Sequence, residues 1–371
     1  MKTIKYLTLY SVDNRQPIAF AKQPGNLPDV TSLTNTLKQL DVLGMHNPEV
    51  VTDNGYYSED NLSSMCLAGF HFITLVKTSI AWVRKELDAH MDEIVSIKNR
   101  RFDLEGVYCH TVMLSHVFEK SRKYASRKKG LGKGSIETFE KRIYLHIYYN
   151  PFKKEDQDAN LYTQIEGLKK MLEEGTPLDD MTEAAQKRAS KYLVIRKTKG
   201  SKTSVTYNEE AYEKACKYHG YFTLVSNREK DRFVALGKYR KREKVEEYFK
   251  IMKEDADASR PRVWYADHLM GRMTIQFVAL GYEDYLRFKI GQMKVELGRK
   301  TGDPKHDTKE NLALETSLKK WLIDTSFSNI LRWFDAYETT EVSTAVAKRR
   351  WNSETTKRDR LFMEKLGMRV N

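Results

Sequence analysis

Residues 5–11 alternate apolar and polar side chains, Asp13-Asn14-Arg15-Gln16 reads as a turn, and Pro17–Lys22 alternates again, which predicts a β-hairpin. After Pro24-Gly25-Asn26, Asp29 is placed to cap a helix whose apolar positions Val30, Leu33, Leu37 and Leu40 follow helical spacing. A short strand at Glu49-Val50-Val51-Thr52 ends in Asp53-Asn54-Gly55. A helix is expected to start near Ser58, and a further strand covers His71–Lys77. Strand, strand, helix, strand, helix, strand describes a mixed α/β unit with one sheet.

From Trp82 to Asn227 the texture changes. Charged helical patterns alternate with strand-like runs at Arg142–Tyr149, Lys191–Arg196 and Tyr221–Val225. Beyond them, Tyr239–Lys253 reads as one helix: Val245, Phe249 and Met252 share an apolar face, while Tyr239, Arg242, Glu246 and Lys253, three, four and seven residues apart, share another. Trp264–Ile290 is expected to be a core helix and Lys294–Asn311 a polar linker. The basic C-terminal segment is expected to be helical, with Leu322, Ile323, Ile330, Leu331 and Trp333 on one apolar face.

Composition narrows the class of partner. The 371 residues carry 64 Lys and Arg against 51 Asp and Glu, a net charge of +13. A large basic chain is suited to nucleic acid, because each neutralised phosphate releases condensed counterions. Between Lys120 and Lys133, seven cations, Lys128 and Lys129 among them, are interleaved with Gly130 and Gly132, as in a loop that follows a phosphate backbone or one that is simply solvated. The cysteines Cys66, Cys109 and Cys216 are odd in number and far apart, and we read no CxxC and no Cys/His ligand spacing, which argues against a disulfide framework or a structural zinc. There is no signal-peptide apolar region and no run of roughly 20 apolar residues, so no membrane span is expected and cytoplasm is the default location.

Two carboxylates attract chemical interest. Asp53 stands at the carboxyl end of a predicted strand, the edge at which open α/β sheets carry their sites, although Asp-Asn-Gly is also ordinary turn chemistry. Glu246 shares its stripe with a phenol, a guanidinium and an ammonium, the set that phosphodiester chemistry uses to hold a divalent metal and orient phosphate oxygens. The plainer reading of Arg242 and Glu246 is an i,i+4 surface ion pair, which a chain with 31% charged residues supplies by chance. Should Asp53 and Glu246 converge, magnesium is the fitting ion, since it takes a few carboxylates and keeps water for the substrate.

At these residues the chain resembles the bacterial insertion-sequence transposases of the DDE type. VVTDNGYYSEDNL (50–62) with GFHFITLVK (69–77) is similar to that family's second-aspartate region, and ALGKYRKREKVEEYFKIMK (235–253) fits its Tyr-x2-Arg-x3-Glu-x6-Lys signature. Ser259-Arg260-Pro261 and Asp267-His268-Leu269 resemble the usual continuation, and SVDNRQPIAFAKQPGNLPD (11–29) the second and third strands of the family's core. The resemblance implies a ribonuclease H-like mixed sheet with helices, interrupted by a mixed, β-containing insertion and followed by a C-terminal helical region. The expected division is a first core part at 1–81, an insertion at 82–227, a second core part at 228–293 and a helical region at 294–371. It further implies metal ligation by Asp53 and Glu246, with Mg2+ or Mn2+ as the ion. DNA contacts fall to Tyr239, Arg242 and Lys253, and a homodimer on paired transposon ends is expected. The family's first aspartate lies on a strand ahead of the hairpin, so a form lacking that residue and the amino-terminal DNA-end-binding region is expected. Such a chain should bind DNA and cleave it poorly. A DNA-binding protein without catalysis, or a nuclease on the same core, are the alternative readings.

Overall fold

In this computed structural model residues 4–28, 31–33, 36, 44, 48–121, 134–196, 204–254, 265–304, 306–344 and 346–368 are described. They divide into two units, one comprising residues 1–5 and 22–242 and the other residues 6–21 and 243–371.

The first unit is organised by Ile136–Tyr149 (β7), whose run from Ile143 to Tyr148 is buried at every position. A strand covered on both faces loses the apolar–polar alternation and reads as a nearly continuous apolar run, as IYLHIY does. The one polar residue in that run, His146, is satisfied inside: its Nδ1 lies 2.8 Å from Thr111 Oγ1 and its Nε2 3.2 Å from the Glu229 carbonyl. Burial pushes the imidazole down to about 4, so it is neutral at pH 7.

Around β7 the sheet is assembled from Glu49–Thr52 (β3), His71–Val76 (β4), Arg100–Arg101 (β5), Val107–Ser121 (β6) and Tyr221–Ser226 (β10), in the order β3-β4-β10-β7-β6-β5. β3 and β4 are parallel, linked through helix Glu59–Leu67 (α1), and the other neighbours are antiparallel. Ser58 caps α1, its hydroxyl accepting from the Asn61 N–H, as the helix start expected near Ser58 requires. The same sheet thus runs from residues 49–76 into residues 100–149 and 221–226. Ala81–Ile94 (α2) lays Val83, Leu87 and Ile94 against the sheet, each fully buried. Pro151–Glu173 (α3), Glu183–Tyr192 (α4), Leu193–Arg196 (β8), Ser204–Tyr207 (β9) and Glu209–Cys216 (α5) close a separate small core around Ile165, Leu168, Ala189 and Val205.

The expected hairpin forms, as Ile4–Ser11 (β1) and Gln16–Pro24 (β2), but it is a two-stranded sheet of its own rather than part of the larger one. Its aromatic residues decide this. In the second unit Tyr6 stacks on Phe20, Phe20 meets Phe277 at 5.0 Å, and Tyr10 meets Tyr248 at 5.6 Å, so the hairpin finds its apolar partner on helices. Those helices are Glu243–Glu254 (α7), which buries Tyr248 and Met252, and Ala266–Glu296 (α8), the expected core helix. The helix expected after Asp29 falls largely on undescribed residues, Asp29, Val30, Leu37 and Leu40 among them; Leu33 is helical and buried.

Lys309–Asp324 (α9), Phe327–Asp335 (α10) and Lys357–Lys365 (α11) pack with the end of α8 around Leu318, Leu322, Ile330 and Phe362. The expected common apolar face splits at this point: Leu322 and Ile330 are buried, whereas Ile323 is 60% exposed and Leu331 39% exposed. The cause is the break at Thr325-Ser326, where Ser326 caps a new helix and resets the angular register. A hairpin of Thr339–Ser343 (β11) and Lys348–Asn352 (β12) interrupts the expected helical region.

Candidate functional site

The Tyr239–Lys253 segment is not one helix. Helix Arg232–Arg240 (α6) ends, Lys241 and Arg242 form a turn, and α7 begins at Glu243. Asp231 starts α6 by accepting the Phe233 and Val234 N–H groups. At its other end the Arg242 N–H donates to the Tyr239 carbonyl, the tighter i to i−3 pattern of a closing turn. Neither Gly nor Pro marks this stop; it falls where Tyr239 and Arg242 reach Asp53 just past β3. The stripe is therefore divided, with Tyr239 and Arg242 in the first unit and Glu246 and Lys253 in the second.

α6 is fastened along β3 at both ends of that strand. At the strand's start, Lys238 Nζ lies 2.7 Å from Glu49 Oε2 and 2.9 Å from Glu229 Oε2. Burial disfavours the ammonium, but the two carboxylates outweigh it and hold its pKa above the ordinary lysine value. At the strand's end stands Asp53. Its Oδ1 accepts the Asn54 N–H at 2.7 Å and the Tyr239 hydroxyl at 3.3 Å, and its Oδ2 accepts from Arg242 Nη1 at 3.1 Å. The Arg242 guanidinium also lies 5.3 Å from the centre of the Tyr239 ring, within cation–π range. Asp53 is thus both the cap of a short turn at Asn54–Tyr56 and the acceptor for two of the stripe residues. With side chains 29% and 40% exposed, the Arg242–Asp53 pair contributes about 1 kcal/mol or less to stability, so its interest is positional.

Behind Asp53 lies a network that the sequence reading missed. Glu59 Oε1 accepts the Tyr57 hydroxyl at 2.7 Å and Trp82 Nε1 at 3.1 Å, and its Oε2 meets His116 Nε2 at 3.1 Å. Burial raises the Glu59 carboxyl, but the His116 and Tyr57 hydrogen bonds win and leave it below the ordinary value, ionised at neutral pH. It pins the segment just after Asp53 to α2 and β6. The available signal was Glu59 in the first turn behind a Ser cap, too common a pattern to single out.

In the second unit Glu246 lies exposed in the first turn of α7 and Lys253 exposed in its last. On that helix Met252 is buried, as the apolar face predicts; Val245 and Phe249 are half-buried, and the deepest residue is Tyr248. Lys128 and Lys129 lie outside the described residues, as do Ser259, Arg260 and Pro261; Lys120 is described, its Nζ donating to Ser64 Oγ at 3.1 Å.

Among the described residues two groups of three ligand-type side chains have donor atoms within 4.8 Å of one another: His90, Glu93 and His110, and Asp158, Cys216 and His219. The second corrects our reading of the cysteines, since Cys216-x2-His219 does place a thiol and an imidazole together. The Asp158 carboxylate is nonetheless shared with His219 Nδ1 at 2.6 Å and with the Lys154 ammonium, and burial raises the Cys216 thiol, which keeps it protonated. Among the described residues no helix is long and apolar enough to cross a membrane.

A search of curated proteins finds no match. The family model described as the transposase DDE domain matches residues 1–280. That span holds both arms of the β1–β2 hairpin, the Asp53 strand end, α6, α7 and half of α8. The mixed sheet flanked by helices is consistent with the ribonuclease H-like fold of such transposases, and the chain belongs to the transposase DDE domain family.

Proposed function

We propose that this chain carries out metal-dependent phosphodiester hydrolysis at the end of a transposable DNA element, followed by attack of the freed 3′ hydroxyl on target DNA. The observation that supports it is the arrangement at the end of β3, where a carboxylate, a phenol and a guanidinium from two distant stretches of sequence occupy one spot. Asp53 offers hard oxygen donors at a partly exposed strand end, a chemistry that suits Mg2+ or Mn2+, and Glu246 is its partner ligand in this reading. The ion, when bound, polarises the scissile phosphate and activates the attacking oxygen.

The chain's own residues supply position and charge. The Asn54 N–H and the Tyr239 hydroxyl fix the Asp53 carboxylate, while Arg242 brings a fork of donors that fits phosphate oxygens bidentately. Tyr239, Arg242 and Lys253 face the DNA end in this reading, with Lys128 and Lys129 along the duplex backbone and a second copy of the chain on the second end. Phosphoryl transfer of this kind depends on positioning and electrostatics rather than on a covalent protein intermediate.

A second reading has its own support. The Arg242–Asp53 ion pair is also what a purely structural stripe in a non-catalytic DNA-binding protein would show. Incubation of the 371-residue chain with end-bearing duplex and Mg2+ or Mn2+ separates the two. Metal-dependent nicking that disappears in both Asp53→Asn and Glu246→Gln is expected. Nicking that survives Glu246→Gln, or tight DNA binding with no nicking under any metal, would favour the second reading.

A further inference from the structure

Apart from the site at Asp53, α2 and β6 bring three metal-competent side chains together. His90 and Glu93 are three residues apart on α2 and so share a face, and His110 stands on the neighbouring strand β6. The His90 and His110 rings lie 5.3 Å apart at 30°, and His110 Nε2 is 3.7 Å from Glu93 Oε2. One donor atom from each residue falls within 4.8 Å of the others.

His90 Nδ1 lies 2.9 Å from the Glu86 carbonyl. A carbonyl oxygen only accepts, so Nδ1 carries a proton and Nε2 is the nitrogen left to ligate. Fixing one imidazole nitrogen on a backbone carbonyl is the arrangement that accompanies histidine ligation of metals. The His110 imidazole is pushed down from its ordinary value, by burial first and by the adjacent His90 second, with Arg232 and Lys98 adding to the effect and Glu93 opposing it. Two imidazoles facing one carboxylate form a donor set for a borderline cation.

We propose that His90, Glu93 and His110 form a binding site for Zn2+, or a closely similar divalent transition metal, that ties α2 to β6. Donor atoms around tetrahedral zinc stand roughly 3.3 Å apart, so the group must contract on binding. Glu93, whose side chain is 63% exposed, has the freedom to close in, and water takes the fourth position. Imidazole donors make the site distinct from the oxygen-only chemistry at Asp53, and it stands independently of the transposition reading.

The test is Zn2+ titration of the full chain in excess Mg2+, which occupies oxygen-only sites, for wild type, His90→Ala, His110→Ala, Glu93→Gln and Cys216→Ser. The last removes the thiol of the Asp158 group. Binding retained in Cys216→Ser and weakened at least about tenfold in each of the other three supports the site. Affinity unchanged in His90→Ala and His110→Ala overturns it, as does a wild-type chain that takes up no Zn2+ below about 100 μM. Co2+ loaded into the wild-type chain reads the donor set without any substitution: ligand-field bands alone support the proposal, and a thiolate charge-transfer band overturns it.

Discussion

Arg242 is the residue with most at stake in this molecule, because its guanidinium already has an anionic partner in Asp53 and, in the proposed function, a second one in DNA. Arg242→Ala is expected to lower the logarithmic salt slope of DNA binding by about one and to weaken affinity across all sequences alike. Fluorescence anisotropy over a range of salt concentrations measures both. Asp53→Asn makes the complementary case: its carbonyl still accepts from Tyr239 while the bond to Arg242 is lost, and DNA affinity should hold while metal-dependent nicking falls by about 100-fold or more. A loss of stability in Asp53→Asn as large as its loss of nicking would show that the carboxylate serves the fold alone.

Among elements, the turn between α5 and β10 is built to closer tolerance than any surface loop needs. Gly220 has φ +79°, its carbonyl accepts the Asn150 N–H at 2.9 Å, and a Cβ at this position would stand 2.7 Å from the Asn150 carbonyl oxygen and 2.8 Å from Lys154 Cβ. Both contacts involve backbone or near-backbone atoms that cannot swing aside. Gly220→Ala should therefore cost about 2 kcal/mol or more, from left-handed strain together with the clash, as read by urea denaturation. At the same scale the Tyr239–Lys253 stripe shows where periodicity misleads. A 3.6-residue pattern continues across Arg240-Lys241-Arg242 without a breaker, yet the chain turns there, where Tyr239 and Arg242 are held by Asp53 at the end of β3. Sequence spacing records which residues could share a face, and long-range partners decide whether the helix runs that far.

For the whole molecule, pH and salt should report on different physics. His146 is fully buried and its pKa falls from 6.5 to about 4 on folding. The unfolded chain binds the extra proton between those values. The stabilisation is accordingly complete above pH 6.5 and lost as pH falls toward 4, by about 3 kcal/mol at most. His146→Gln, which keeps hydrogen-bonding capacity without titrating, should flatten that part of the stability–pH curve. Glu59 adds a second acid-side loss by the opposite chemistry: its folded pKa lies below 4.5, so its contribution is present above that value and disappears as pH falls through the lower one. The net charge of +13 governs association instead, and DNA binding of the intact chain should fall steeply with added salt while the fold does not.

What the sequence determined by itself was local and periodic. The hairpin, the β3 and β4 strands, the start of α1 at its Ser58 cap and the long α8 were legible because alternation, helical spacing and capping are properties of neighbouring residues. The interest of Asp53, Tyr239 and Arg242 was legible too, through residue types and a family-like spacing. Tertiary structure alone decided that the hairpin forms a two-stranded sheet of its own, that the stripe breaks at Lys241-Arg242, and that the Glu59 network and the His90–Glu93–His110 group assemble from separate elements. The reason is physical: burial and long-range pairing depend on which surfaces meet, and a pattern of period two or 3.6 specifies a face without naming its partner.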